Sequence, residues 1–155
     1  MLTLHTGREL VLDWDGGPSV PHGAVAVRGD RIAAIGALDV LRERFPTARV
    51  RSWPGVLGPG RVHDGALPGA PSPRERVHAV LTTGGVAVVA GHLTDPALRS
   101  AAERAGVLVR PDGRPLALAE SARADLAAFD GDPRAGAPGE CLVTVCAGRI
   151  VHRRR

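Results

Sequence analysis

The chain has 155 residues, the size of one domain, and with 44% hydrophobic and 23% charged residues its composition is typical of a soluble folded protein. No apolar run approaches the ~20 residues that a membrane span needs, so we expect no membrane partner. All 20 basic residues are Arg, the net charge is +4, and the basic side chains are scattered singly except in the C-terminal "HRRR". Aromatic platforms for stacking bases are nearly absent, which argues against nucleic-acid binding.

The N-terminus and the cysteines favour a cytoplasmic protein with reduced thiols. "MLTLHTGRELVL" has no basic stretch followed by a continuous apolar one, so it does not resemble a secretion signal. Cys141 and Cys146 lie five residues apart, about 16 Å in an extended strand, which is too far for a disulfide. We expect both to be packing residues on opposite faces of one strand.

The first third of the chain alternates in the manner of β-strands. "LTLHT" and "ELVLD" predict two short strands, and the apolar runs at 24–27 and 32–35 predict a hairpin with a type II′ turn at Gly29-Asp30. "ALDVLRERF" then predicts a short helix ended by Pro46, with Leu38 and either Leu41 or Val40 facing inward. Residues 49–60, punctuated by Pro and Gly, return to an extended chain.

The middle of the chain predicts a β-α-β unit. One helix begins at an N-cap Ser72 with Glu75 completing a capping box, and it buries Val77, Val80 and Leu81. His78 on this helix is interpreted as a half-buried packing residue. The apolar run 86–90 predicts a buried parallel strand, which is followed by a helix capped by Asp95 and a strand at 107–109.

The end of the chain returns to β-structure. "ADLAAFD" predicts a strand, a Gly- and Pro-rich loop follows, and "CLVTVCAGRIVH" predicts a hairpin or bulge at Gly148.

Three segments resemble the amidohydrolase superfamily, and imidazolonepropionase-like members in particular. "GAVAVRGDRIAAIG" is similar to their N-terminal hairpin, and "WPGVLGPGRVHD" to their approach to the catalytic barrel. "ARADLAAFDGDP" with "VTVCAGRIVH" resembles the return from the barrel to a small β-sandwich. The resemblance implies a mixed α/β fold in one composite domain, 1–155, with 1–60 and 115–155 forming the sandwich. Residues 61–114 are too few for a TIM barrel of about 200 residues and would form a short β-α-β insert in its place.

The resemblance also shows which ligands are missing. In the family, the Pro-Gly corresponding to Pro59-Gly60 precedes a His-x-His pair that binds a divalent metal, and those two positions hold Gly65 and Leu67 here. His63, Asp64, His92 and Asp112 are alternative ligands for a zinc-like ion, because each follows a predicted strand. No His-x-His or His-x-x-x-His pair places two ligands on one element, so we expect no catalytic, cofactor or metal residues, and His63 with Asp64 is the pair to test first. Asp125, in the family's "ADL" element, is assigned a structural role.

Three functions stay open at this point. The first is a non-catalytic, amidohydrolase-derived module with an auxiliary or protein-interaction role, bound to a protein partner or to a second copy of itself. The second is a minimal metal-dependent hydrolase of non-peptide carbon-nitrogen bonds, and the third is a small-molecule binding module. Fold resemblance alone does not choose among them.

Overall fold

The computed structural model describes residues 1–155. The strands of the first half are β1 (Leu2–Val11), β2 (Ser19–Pro21), β3 (Gly23–Arg28), β4 (Arg31–Ala37), β5 (Arg49–Pro59) and β6 (Arg61–His63). Those of the second half are β7 (Gly85–Val89), β8 (Leu108–Arg110), β9 (Leu126–Phe129), β10 (Cys141–Cys146) and β11 (Arg149–Arg153). The helices are α1 (Leu38–Arg44), α2 (Pro73–Leu81) and α3 (Pro96–Arg104), with short 3₁₀ turns at Ala90–His92 and Pro133–Ala135. No helix is long and apolar enough to cross a membrane.

The two ends of the chain share one mixed sheet of eight strands. Its order is β11-β10-β9-β5-β1-β3-β4, with β2 paired to β1. The N-terminal and C-terminal parts join where β5 pairs antiparallel with β9, and β1 lies parallel to β5 on the other side. The predicted mixed α/β class, with the two ends combined and no closed barrel, is therefore confirmed.

This sheet curves so that its two outer hairpins meet. The backbone N–H of Ala124 donates to the carbonyl of Asp30 at 2.7 Å, and that of Gly148 donates to Ala124 at 2.8 Å. A core of 13 buried residues lies inside the curve, with members from β1, β3 and β4 and from β9 and β10. The sandwich is thus built from one continuous sheet that encloses its core.

Both hairpin turns follow from local glycine chemistry. Gly29 has a φ of 61°, and Asp30 is not among the residues with positive φ, which matches the predicted type II′ turn. In the β10–β11 hairpin, Ala147 and Gly148 both have positive φ, 50° and 80°, which a type I′ turn requires.

Two details of the first third differ from the prediction or complete it. β1 is one strand of ten residues, not two, because β5 pairs with it on both sides of Gly7, where the register shifts. On its other side β3 pairs with the first half of β1 and β2 with the second half. In α1, Leu41 is the buried residue and Val40 is 61% exposed.

The insert is a small parallel sheet covered by two helices. Its strand order is β6-β7-β8, and α2 and α3 contribute half of a second core of 12 buried residues. The helix starts are as predicted: Ser72 Oγ accepts from the Glu75 N–H at 3.2 Å, and Asp95 accepts from the Ala97 N–H at 2.9 Å. α2 packs against β7, and α3 packs against β8 and α2. The three parallel strands have their carboxyl ends at one edge.

Candidate functional site

The four candidate ligands all lie at the carboxyl edge of the small parallel sheet. His63 is the last residue of β6, and Asp64 follows it. His92 ends the 3₁₀ turn after β7, and Asp112 lies two residues beyond β8. Parallel strands bring their carboxyl ends to one edge, and α/β folds place their sites there.

Only Asp64 and His92 contact each other. His92 Nε2 lies 2.9 Å from Asp64 Oδ1, and the two side chains are 37% and 59% exposed. A contact this open to water contributes at most about 1 kcal/mol to stability. The pair is therefore accessible to a ligand, but it supplies only two donor side chains.

The other two candidates are engaged locally. His63 Nε2 lies 3.0 Å from the Ala66 carbonyl oxygen, and Asp112 Oδ1 accepts the N–H of Arg114 at 3.0 Å. Each contact closes a short turn, which is the ordinary use of such residues in loops. No group of three or more His, Cys, Asp or Glu side chains is arranged to hold a metal ion.

Neither of the two positions that hold histidines in the family carries a metal ligand in this chain. Leu67 is buried at 4% exposure in the core of the insert, and Gly65 has no side chain. Catalytic zinc sites use three protein ligands and structural ones four. The donors that converge at this edge, the Asp64 carboxylate and the His92 imidazole, are too few for such an ion.

The cavity beside His63 and Asp64 does not extend to the other two candidates. An open cavity of about 240 Å³ runs along β6 and is lined by His63 and Asp64 with Arg61, Thr83 and two further residues. Neither His92 nor Asp112 lines it. Gly113 lets the loop after β8 pass close to Asp64, since a Cβ at this position would stand 2.5 Å from Asp64 Oδ2. The loop after β8 thus meets Asp64 with a glycine and not with a ligand.

A buried polar network, of which sequence reasoning identified only Asp125, joins the insert to the large sheet. Asp125 Oδ2 accepts from Arg123 Nε at 2.8 Å, and its Oδ1 accepts the N–H of Ala147 at 2.9 Å. Arg123 Nη1 donates to the Gly106 carbonyl at 2.8 Å, at the end of α3. Burial lowers the pKa of Arg123, but the hydrogen bond and charge of Asp125 outweigh it and leave that pKa above its ordinary value. The structural role assigned to Asp125 is thus that of a clamp between the two parts.

A second feature without a sequence signal is a groove between α2, α3 and β11, which we call the arginine groove. It has a volume of about 590 Å³ and is lined by nine residues, Arg74, His78, Leu81, Ala101, Arg104, Ala105, Arg149, Ile150 and Val151. His78, interpreted as half-buried from its place beside the apolar stripe, is exposed and lines this groove. Its neighbours come from three separate elements, so the spacing along the chain gave no indication of the groove.

Comparison with known families supports the resemblance. Residues 23–48 match the family described as "Imidazolonepropionase-like composite domain, bacteria". These residues are the β3–β4 hairpin and α1 with its following turn. No curated protein matches the chain by sequence.

Solved structures share the fold at low sequence identity. Guanine deaminase of E. coli is 15% identical with a TM-score of 0.51, over 70% of this chain and 35% of that protein. Guanine deaminase of Bradyrhizobium japonicum is 14% identical with a TM-score of 0.50, over 70% and 34%. An adenosine deaminase of Xanthomonas campestris, solved with bound zinc, is 17% identical with a TM-score of 0.52, over 69% and 32%. The chain thus spans about a third of these proteins. The resemblance to the amidohydrolase superfamily through an imidazolonepropionase-like composite domain is confirmed at the level of the fold, and residues 23–48 carry the sequence match.

Proposed function

We propose that the chain is a non-catalytic, amidohydrolase-derived module with an auxiliary role, exercised through association with a protein partner or a second copy of itself. The observation that carries this proposal is the separation of the candidate ligands. Asp64 and His92 engage each other, while His63 and Asp112 each close their own turn. A hydrolytic metal needs at least one more converging donor than this edge offers.

Free strand edges support the association part of the proposal. β6 and β8 are the outer strands of the three-stranded sheet, so each has one edge without a partner strand. An unpaired edge accepts a strand from another chain through backbone hydrogen bonds. Exposed apolar surface contributes little, since the large hydrophobic residues at the surface are Met1, Val40, Val50 and Ile150 only. We therefore expect a modest interface built from main-chain pairing and charge.

A minimal metal-dependent hydrolase of non-peptide carbon-nitrogen bonds is the second candidate. The Asp64–His92 pair favours it, because the two side chains meet at 2.9 Å at the edge where α/β enzymes place their sites. Both are half-exposed, so rearrangement around an incoming ion would cost little.

Metal analysis of protein purified without an affinity tag separates the two candidates. The module is expected to hold less than about a tenth of an equivalent of divalent metal, and His92→Ala is expected to change nothing. His78→Ala is the matched control, since it removes an exposed histidine away from this edge. A stoichiometric metal that is lost in His92→Ala and kept in His78→Ala, together with hydrolytic activity, would contradict the module and establish the hydrolase.

Light scattering over a range of protein concentrations tests self-association. A rise in mass with concentration, accompanied by slower amide exchange in β6 or β8, is the expected result for pairing at these edges. A constant monomer mass with unchanged exchange would exclude the second copy as the partner.

A further inference from the structure

We propose that the arginine groove binds a small organic anion, a molecule with a phosphate, sulfonate or carboxylate group on an apolar body. Its volume of about 590 Å³ falls within the range of small-molecule sites. The groove lies on the helix side of the insert, and none of the four candidate ligands at the strand edge lines it. The site is therefore separate from the one described above, and its existence does not depend on the proposed function.

Arginines from three elements line the groove. Arg74 and His78 lie one turn apart on α2, so their side chains share a helix face. Arg104 comes from the last turn of α3, and Arg149 from the start of β11. None of the three arginines forms an ion pair with a carboxylate of the chain, although seven arginine–carboxylate pairs occur elsewhere. Their guanidinium groups are left with free donors.

Acidic side chains are absent from the lining. Glu103 lines an adjoining cavity of about 250 Å³ together with Arg104 and Arg149, and it does not line the groove. Glu75, next to Arg74 in the sequence, is turned to the helix cap, where it accepts from Ser72 Oγ at 3.0 Å. The positive charge of the groove is therefore not neutralised within its own walls, and an anion would supply the missing partner.

The floor of the groove is apolar. Leu81 and Ala101 are each only 4% exposed and belong to the core of the insert. Ile150, at 37% exposure, is one of the few large hydrophobic residues at the surface, and it stands beside Arg149. A ring or alkyl group placed against this floor would bury apolar area while its charged group reaches the arginines. An anion with an apolar body fits both properties, whereas inorganic phosphate fits only one.

Phenyl phosphate is a suitable probe, with phenol and inorganic phosphate as its two halves. In ¹H–¹⁵N correlation spectra of the full chain, phenyl phosphate is expected to shift amides of α2, α3 and β11. Each half alone is expected to bind at least about tenfold more weakly, which is about 1.4 kcal/mol. Raising the salt from about 0.05 to 0.5 M is expected to weaken phenyl phosphate binding and to leave any phenol binding unchanged.

Two variants test the named residues. Arg104→Gln with Arg149→Gln is expected to weaken phenyl phosphate at least about tenfold, and Ile150→Ser to weaken phenyl phosphate but not inorganic phosphate. Arg42→Gln is the matched control, because Arg42 is an exposed and unpaired arginine on α1. Thermal melts check that every variant is folded. No binding up to about 10 mM, shifts outside the groove, or equal losses in the Arg42 control would each overturn the proposal.

Discussion

Replacing Asp125 by Asn is expected to weaken the clamp between the large sheet and the insert. Asp125 is 6% exposed, and each of its carboxylate oxygens accepts a separate hydrogen bond, one from Arg123 Nε and one from the N–H of Ala147. Arg123 in turn donates a hydrogen bond to the carbonyl of Gly106, just after α3. One carboxylate thus holds the β10–β11 turn and, through Arg123, the insert.

The size of the effect follows from the chemistry of the amide. Asn offers one acceptor oxygen where Asp offers two, so in either orientation an NH₂ group faces an N–H donor and one buried donor loses its partner. Such a donor costs about 1–3 kcal/mol, and breaking a fully buried pair costs about 3–5 kcal/mol. Because the Arg123 side chain is 21% exposed, water relieves part of this penalty. We expect a loss of about 2–4 kcal/mol in the free energy of unfolding.

Urea unfolding followed by tryptophan fluorescence measures this loss. Trp14 packs edge-on against Phe129, and Trp53 donates to His5, so both tryptophans report on the folded large sheet. Asp112→Asn is the matched control, since Asp112 faces Arg114 at 3.7 Å with both side chains largely exposed, and its loss is expected to stay below about 0.5 kcal/mol. If the Asp125 variant is as stable as this control, the clamp does not hold the two parts together.

Two further predictions concern His5 and Gly148. Burial, aided by the charge of Arg51, lowers the pKa of His5 from 6.5 to about 4, so the unfolded chain takes up a proton before the folded one does. Its contribution to stability is therefore complete above about pH 6.5 and is lost as the pH falls toward 4, by up to about 3 kcal/mol. Urea titrations of wild type and His5→Gln should diverge in this range, and parallel curves would contradict the assignment. Gly148→Ala is expected to cost more than about 2 kcal/mol, because its φ is 80° and a Cβ would stand within van der Waals overlap of the Gly29 carbonyl oxygen. In Gly136→Ala, with a φ of 73° and open space, thermal melts should show a cost of only about 1 kcal/mol, and equal costs would show that the contact between the two turns contributes nothing.

Elements with local signals could be predicted without the structure. The caps at Ser72 and Asp95 depend on one side chain and a backbone N–H two or three residues away, so they are readable from the order of residues. The turn at Gly29 depends on a glycine that tolerates positive φ. The strand predicted at 86–90 depends on an unbroken apolar run, and the structure places it at Gly85–Val89. The resemblance to a known family added the pairing of the two ends, which no local pattern specifies.

Other features depend on residues that are far apart in the chain. β1 is continuous across Gly7 because β5 pairs with it on both sides of that glycine, whereas propensity alone divides it in two. His78 is exposed because α3 and β11 leave the groove beside it open. The spacing of apolar residues along α2 cannot indicate this, because it does not show where α3 and β11 lie.

At the strand edge, the residue types and their order along the chain were enough to place His63, Asp64, His92 and Asp112 at the ends of three parallel strands. The distances between these side chains and the directions in which they point could not be predicted, because they depend on how the loop after each strand folds against its neighbours. Asp64 meets His92 across 28 positions of sequence, while His63 and Asp112 turn to backbone atoms within three residues. Patterns along the chain specify caps, turns and buried faces, since those rest on contacts a few residues long. The clamp at Asp125 and the arginine groove exist only once the insert packs against the large sheet, because their partners come from elements that are distant in sequence.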